Sequence, residues 1–91
     1  MTRVSFDFSE IPDFPAFYRQ FAQKFALPDG FGENLDALWD VVTGGIGLPV
    51  EVEFVNLSAH KKRRFGALVL LFEEAEEELE GDLRFNIRPR A

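Results

Sequence analysis

Three short segments in which apolar and polar residues alternate constrain the fold of this chain more than any other feature of its 91 residues. Their apolar positions are Val4, Phe6 and Phe8 in the first segment, Val50, Val52 and Phe54 in the second, and Leu83, Phe85 and Ile87 in the third. A period of two places successive side chains on opposite faces of a strand, so each segment predicts a half-buried β-strand. Helical patterns separate the segments, and helical connections between strands imply right-handed crossovers and a parallel sheet.

The alternation also predicts how the layers are arranged. Parallel sheets that are covered on both faces usually have continuous apolar strands. Because all three segments alternate instead, we expect helices on one face of the sheet and an open, charged second face, which is a two-layer α/β fold. A chain of 91 residues has the length of one domain, and we expect a single domain over residues 1–91.

The helices between the strands are predicted from apolar stripes and from end signals. The first follows Asp13, a good N-cap, and its apolar residues recur at helical spacing over residues 14–25. The last long helix is expected to close at Gly81, and its apolar stripe consists of Leu68, Leu71, Phe72, Ala75 and Leu79. The basic run at residues 61–64 lies between Ser58, a possible N-cap, and Gly66, a possible C′ residue, so we interpret it as the end of a short helix rather than as a nucleic-acid site.

The net charge of −6 belongs to one contiguous part of the chain. Residues 26–58 contain no Lys or Arg, and their acidic side chains are Asp29, Glu33, Asp36, Asp40, Glu51 and Glu53. This segment repels nucleic acid and attracts a cationic partner, so we expect no direct nucleic-acid binding. The absence of Cys suits a reducing compartment, the longest apolar run is too short for a membrane span, and no signal peptide is evident; we therefore expect a cytoplasmic protein.

A second helix is predicted from Asn34, as its N-cap, to Thr43, with Gly44 and Gly45 ending it. At 100° per residue, its core-facing stripe consists of Leu35, Leu38, Trp39 and Val42, with Trp39 directed between the core and the acidic flank. Asp36 and Asp40 lie one turn apart on that flank, close to Glu33 and Thr43. No basic residue lies within a turn of them, so the pair is either a solvated surface or a site for positive charge.

Residues 27–44, and above all the string Gly-Glu-Asn-Leu-Asp-Ala-Leu-Trp-Asp at residues 32–40, resemble the signature segment of the barstar family of ribonuclease inhibitors. The resemblance implies a three-stranded parallel sheet in the order 1-2-3 with helices packed on one side. It also implies that the acidic residues of the central strand are structural, in cross-strand pairs formed among Glu51, Glu53, Arg3, Arg84 and Arg88.

In that family the second helix and the loop before it cover the active site of a ribonuclease. Carried over to this chain, the resemblance implies a partner-binding site whose main contacts are Asp36 and Asp40, with Trp39, Thr43 and Gly44 beside them, Glu74 on the last helix, and Glu33 and Phe31 in the loop. Phe31 could instead pack the loop onto the core. The carboxylates would replace RNA phosphates in a basic ribonuclease, which needs no catalysis, metal or cofactor, and we expect a monomer when the protein is free.

Other functions stay open to different degrees. Gly30, Gly45 and Gly47 stand where the prototype inhibitor has larger side chains, which leaves room for a barstar-like binding module with a cationic partner that is not a ribonuclease. A carboxylate enzyme is disfavoured because the pair lies on a convex helix, and His60 has no accompanying nucleophile motif. A Mg²⁺ or Ca²⁺ site at the acidic flank is conceivable, but no metal-binding loop is present.

Overall fold

The computed structural model describes residues 2–28 and 30–89, so Asp29 of the acidic segment lies outside the described residues. Its elements follow the predicted order of strands and helices. They are β1 (Thr2–Asp7), α1 (Phe14–Lys24), α2 (Leu35–Gly44), β2 (Val50–Val55), α3 (Ala59–Arg64), α4 (Gly66–Glu78) and β3 (Leu83–Arg88), with a 3-10 turn at Phe8–Glu10. None of the described helices has the length and apolar character needed to cross a membrane.

The three strands form one parallel sheet in the order β1-β2-β3. In its register Phe6 lies opposite Phe54, and Phe54 lies opposite Ile87. Alternate side chains of the strands are buried under the helices. On the other face Arg3 and Arg84 are exposed, whereas Glu53 of the central strand is buried. The two-layer α/β fold and the strand order that the resemblance implied are therefore confirmed.

The core is built from the apolar stripes of the strands and helices and is rich in phenylalanine. Phe6 of β1 lies 4.9 Å from Phe17 of α1, measured between ring centroids, and Phe54 of β2 lies 4.8 Å from Phe85 of β3 in an edge-to-face arrangement. These separations are favourable for aromatic pairs. The contacts join the sheet to the helical layer and hold that layer on one face.

The first strand ends one residue earlier than its alternation predicts. Phe8 was expected on β1, but it begins the 3-10 turn and is fully buried. The turn forms because the Asp7 carboxylate accepts hydrogen bonds from the Ser9 amide at 2.9 Å and from the Ser9 hydroxyl at 2.7 Å. Alternation therefore predicted the direction of the Phe8 side chain and not its backbone conformation.

All three predicted N-caps form the hydrogen bonds that their residue types favour. Asp13, Asn34 and Ser58 accept from the amides of Ala16 at 3.0 Å, of Ala37 at 2.8 Å and of Lys61 at 3.3 Å, respectively. The N-terminal ends of α1, α2 and α3 were thus readable from the sequence.

The glycines at the helix ends behave less uniformly. Gly66 was expected to end α3, but it begins α4, and the two helices join at Phe65. Gly44 is the last residue of α2, one position beyond the predicted end, and a Cβ at the following Gly45 would lie 3.3 Å from the Val41 carbonyl oxygen. Gly81 follows the end of α4, as predicted, with a φ of +96° that favours glycine.

The open face of the sheet carries paired charges. Arg3 Nε lies 3.3 Å from Glu51 Oε1, and Arg88 Nε lies 3.0 Å from Glu53 Oε2, although the second pair is not aligned as a hydrogen bond. The Ser5 hydroxyl also donates to Glu53 Oε1 at 3.3 Å. Arg84, predicted as a further partner, forms no ion pair with any residue that the structure describes. Glu51 and Glu53 are therefore bound within the sheet.

Candidate functional site

Helix α2 is anchored by a buried face and presents its acidic flank outward. Leu38 and Val42 are fully buried under it, and Asn34 caps its first turn. Asp36 and Asp40, spaced by one turn on the flank, are both exposed. The predicted placement of the two carboxylates on one side of the helix follows from this anchoring.

Within the part of the chain that the structure describes, no basic side chain forms an ion pair with Asp36 or Asp40. Among residues 2–28 and 30–89, the ion pairs are those of Arg3 with Glu51 and of Arg88 with Glu53. Asp36 lies in the first turn, where the helix dipole favours negative charge, but Asp40 lies beyond that turn. Like charges at this spacing repel by a few tenths of a kcal/mol. The flank is therefore a place where a cation from another molecule is electrostatically favoured.

The other predicted contact residues in the second half of α2 differ in how far they are exposed to solvent. Trp39 is half-buried: one part of its side chain packs against the core and the rest is accessible on the surface. Its predicted direction between the core and the acidic flank is consistent with this position. The Thr43 hydroxyl donates to the Trp39 carbonyl oxygen at 2.7 Å, so its oxygen can still accept a hydrogen bond from outside. Gly44 is exposed and leaves the backbone at the helix end open to close approach.

The loop before α2 packs onto α1 through Phe31. The Phe31 ring lies 5.8 Å from the ring of Phe21 and 6.3 Å from that of Tyr18. Burial, and next the negative charge of Glu33, raise the pKa of the Tyr18 hydroxyl above its usual value of 10.0. Phe31 thus connects the loop to the core, and the exposed Glu33 carboxylate adds its charge near the same place.

Asp36 and Trp39 lie in a groove between α2 and α4 together with Glu74, the predicted acidic contact on the last helix. This α2–α4 groove has a volume of about 280 Å³, and its lining residues are Leu35, Asp36, Trp39, Ala67, Leu70, Leu71 and Glu74. Phe31 and Glu33 do not line it and instead border a separate depression beside Arg19 of α1. The structure therefore brings Asp36 and Trp39 beside Glu74 of α4, whereas Asp40, Thr43 and Gly44 do not line this groove. The loop residues Phe31 and Glu33 lie at a different depression.

Two leucines of the α2–α4 groove were not identified from the sequence. Leu35 was predicted to face the core but is 36% exposed, and Leu70 is 56% exposed. Leu35 lies in the first turn of α2 and lines the groove with residues of α4. The position of Leu70 could have been predicted from the sequence. The spacing of Ala67, Leu70, Leu71 and Glu74 places them on one face of a helix.

A metal site on the acidic flank finds no support in the arrangement of the side chains. In the part of the chain that the structure describes, no three His, Cys, Asp or Glu residues are grouped so that they could hold a metal ion. Glu33, Asp36 and Asp40 therefore present separate carboxylates to the surroundings.

Comparison with known proteins supports the family that the fold and the α2 segment indicate. A family model described as "Barstar (barnase inhibitor)" matches residues 1–88. A protein of Bacillus subtilis (strain 168) named "Putative ribonuclease inhibitor YrdF" is 28% identical over 91 residues, which span 96% of this chain and 99% of the relative. The sheet order, the α2 segment and the match over nearly the whole chain lead to one conclusion: the chain belongs to the barstar family.

Proposed function

We propose that this protein inhibits a small basic ribonuclease by covering its active site with α2 and the loop before it. Membership of a family described by barnase inhibition supports the proposal, as does the relative named as a ribonuclease inhibitor. The observation that carries it is the pair Asp36 and Asp40, which are exposed, one turn apart and without an ion pair to any described basic residue.

The proposed mechanism is replacement of the RNA phosphates by carboxylates. A ribonuclease binds phosphate with Arg, Lys and His side chains, and these donate equally well to carboxylate oxygens through short, charge-assisted hydrogen bonds. Asp40 and Asp36 take that role, with the free lone pairs of Thr43 and the open backbone at Gly44 beside them. Occlusion of the catalytic groups then inhibits the enzyme, so the inhibitor performs no chemistry of its own.

The remaining predicted contacts contribute around this centre. Glu74 and Trp39 extend the surface across the α2–α4 groove, and Glu33 adds negative charge on the loop side. Phe31 contributes by holding the loop against Phe21. We infer that the free protein is a monomeric single domain in the cytoplasm, where it protects the cell from a ribonuclease of its own or from a toxin.

A panel of small basic ribonucleases, including any encoded beside this protein, tests the proposal directly. Residual RNA hydrolysis is measured with increasing inhibitor, and we expect stoichiometric loss of activity for at least one enzyme. Glu10→Gln is the matched control, since this exposed carboxylate lies outside α2 and α4 and its loss should leave inhibition unchanged. No inhibition of any enzyme in the panel would contradict the proposal.

A second candidate is a binding module for a cationic protein that is not a ribonuclease. Its support is the three glycines that lie before and after α2. A Cβ at Gly30 or Gly47 would have no atom within 4 Å, and a Cβ at Gly45 would lie 3.3 Å from the Val41 carbonyl oxygen. Aromatic residues commonly anchor interfaces, and none is present at these three positions. Affinity capture distinguishes the two functions: a basic nuclease supports inhibition, and a basic protein without nuclease activity supports the module.

A further inference from the structure

The α2–α4 groove is lined by exposed leucines as well as by carboxylates, and contact with the basic groups of a partner does not require these leucines. We propose that the groove receives an apolar side chain of the partner ribonuclease, which packs against Leu35 and Leu70 beside the cations that meet Asp36. This inference rests on the proposed function and adds to it a requirement on the partner. The basic active-site cleft of that ribonuclease should have an aliphatic or aromatic residue at its rim.

Exposed leucines are concentrated in this groove. The large hydrophobic side chains that are exposed among the described residues are Leu35 at 36%, Leu48 at 38% and Leu70 at 56%, and two of these three line the groove. Single exposed leucines are ordinary on soluble proteins, whereas these two line one groove together and form a small apolar surface with a polar rim. The groove has such a rim in Asp36 and Glu74.

Folding does not account for Leu70. Helix α4 packs on the sheet through other residues, since Leu68, Phe72 and Ala75 are fully buried. Leu70 lies on the outer stripe with Ala67 and contributes little to that packing. A polar residue would be the usual choice at such a position in an amphipathic helix. The apolar character of this stripe is therefore better explained by contact with another molecule.

Charge determines which occupant fits. A second copy of this chain packed symmetrically on the groove would bring Asp36 and Glu74 against the same carboxylates, which disfavours a dimer. An anionic membrane surface is repelled for the same reason. A basic ribonuclease meets both features, because its cations are attracted to the rim and an apolar neighbour is attracted to the leucines. The groove is also continuous with the α2 flank through Asp36.

The test uses a ribonuclease that the panel shows to be inhibited, and compares Leu70→Gln with the matched control Leu48→Gln. Leu48 is also an exposed leucine but does not line the groove. Glutamine keeps the helix propensity of leucine, so α4 is expected to stay folded, and thermal melts verify this.

Burial of the exposed part of Leu70 predicts that Leu70→Gln weakens binding about fourfold to twentyfold. The loss should lie in the dissociation rate and change little with salt, whereas Leu48→Gln should bind within about twofold of the parent.

The outcomes separate this inference from the proposed function. If Leu70→Gln and Leu35→Gln both bind like the parent while Asp40→Asn binds poorly, the apolar contact is wrong and inhibition through α2 stands. If Leu48→Gln weakens binding as much as Leu70→Gln, the effect is not specific to the groove and the inference is likewise overturned. If no ribonuclease is bound at all, the proposed function fails and the apolar contact fails with it.

Discussion

The open face of the sheet and the flank of α2 both carry two carboxylates, and they differ in what surrounds them. On the sheet, parallel pairing brings Arg3 to Glu51 and Arg88 to Glu53. On α2, Asp36 and Asp40 have no such partner among the residues that the structure describes. The comparison shows that an acidic pair becomes structural or available for binding according to the cations that neighbouring elements supply.

The largest expected difference between the two regions concerns Asp40. Asp40→Asn should weaken binding to the inhibited ribonuclease about 100-fold to 1000-fold, because the partner's cations lose a buried counter-charge. The free protein should be as stable as the parent or more stable by a few tenths of a kcal/mol, since a repulsion within α2 is removed. Calorimetric titration and denaturant melts measure both quantities. A loss of stability above about 1 kcal/mol would identify Asp40 as a folding residue.

Glu53 should show the opposite behaviour. Its side chain is only 7% exposed and contacts Arg88 and Ser5. Glu53→Ala is expected to lower the free energy of unfolding by about 1–2 kcal/mol through the lost contacts, with binding unchanged. Glu51→Ala is the matched control, because the Glu51 side chain is more exposed, at 20%, and its pair should contribute less. Weaker binding by Glu53→Ala without a change in stability would reverse the roles of the two regions.

The association rate should depend on salt concentration through the carboxylates of α2 and not through those of the sheet. Under the proposed function, the charges of Asp36 and Asp40, which form no ion pair among the described residues, attract the ribonuclease over distance. Raising the ionic strength from 50 to 500 mM should therefore slow association about tenfold. The stability of the free protein should change far less, because the sheet carboxylates interact at contact distance. Stopped-flow association rates and parallel melts provide the measurement. An association rate independent of salt would indicate a mainly apolar interface.

The smallest expected effect concerns how the free energy of unfolding changes at acidic pH. Hydrogen bonds from the Asn56 side chain and then from Ser9 lower the pKa of Asp7 below its ordinary value of 3.8. A lowered pKa means that Asp7 stabilises the fold above pH 3.8 and that this contribution is lost as the pH falls through the folded value. With Asp7→Asn, the free energy of unfolding should therefore fall slightly less steeply as the pH decreases below 3.8. Unfolding followed by circular dichroism at several pH values measures this slope. A slope identical to that of the parent would contradict this role for Asp7.

The strands and the acidic pair were predictable because they depend on local periodicity. Alternation identified β1, β2 and β3, and the one-turn spacing of Asp36 and Asp40 placed them on one side of α2. The same logic failed at Leu35, where the predicted core-facing stripe includes a residue that is 36% exposed. Periodicity gives the angle of a side chain around its helix, but it does not say which neighbouring element covers that angle.

The sequence by itself therefore determined the element order, the N-caps and the concentration of negative charge, since each follows from residue type and spacing along the chain. Only the tertiary structure decided that Arg88 pairs with Glu53 while Arg84 forms no ion pair with a described residue, and that Leu35 and Leu70 lie together in one groove. These features depend on which elements meet in space. Charge pairing and burial are properties of contacts between distant segments, and no single segment contains that information.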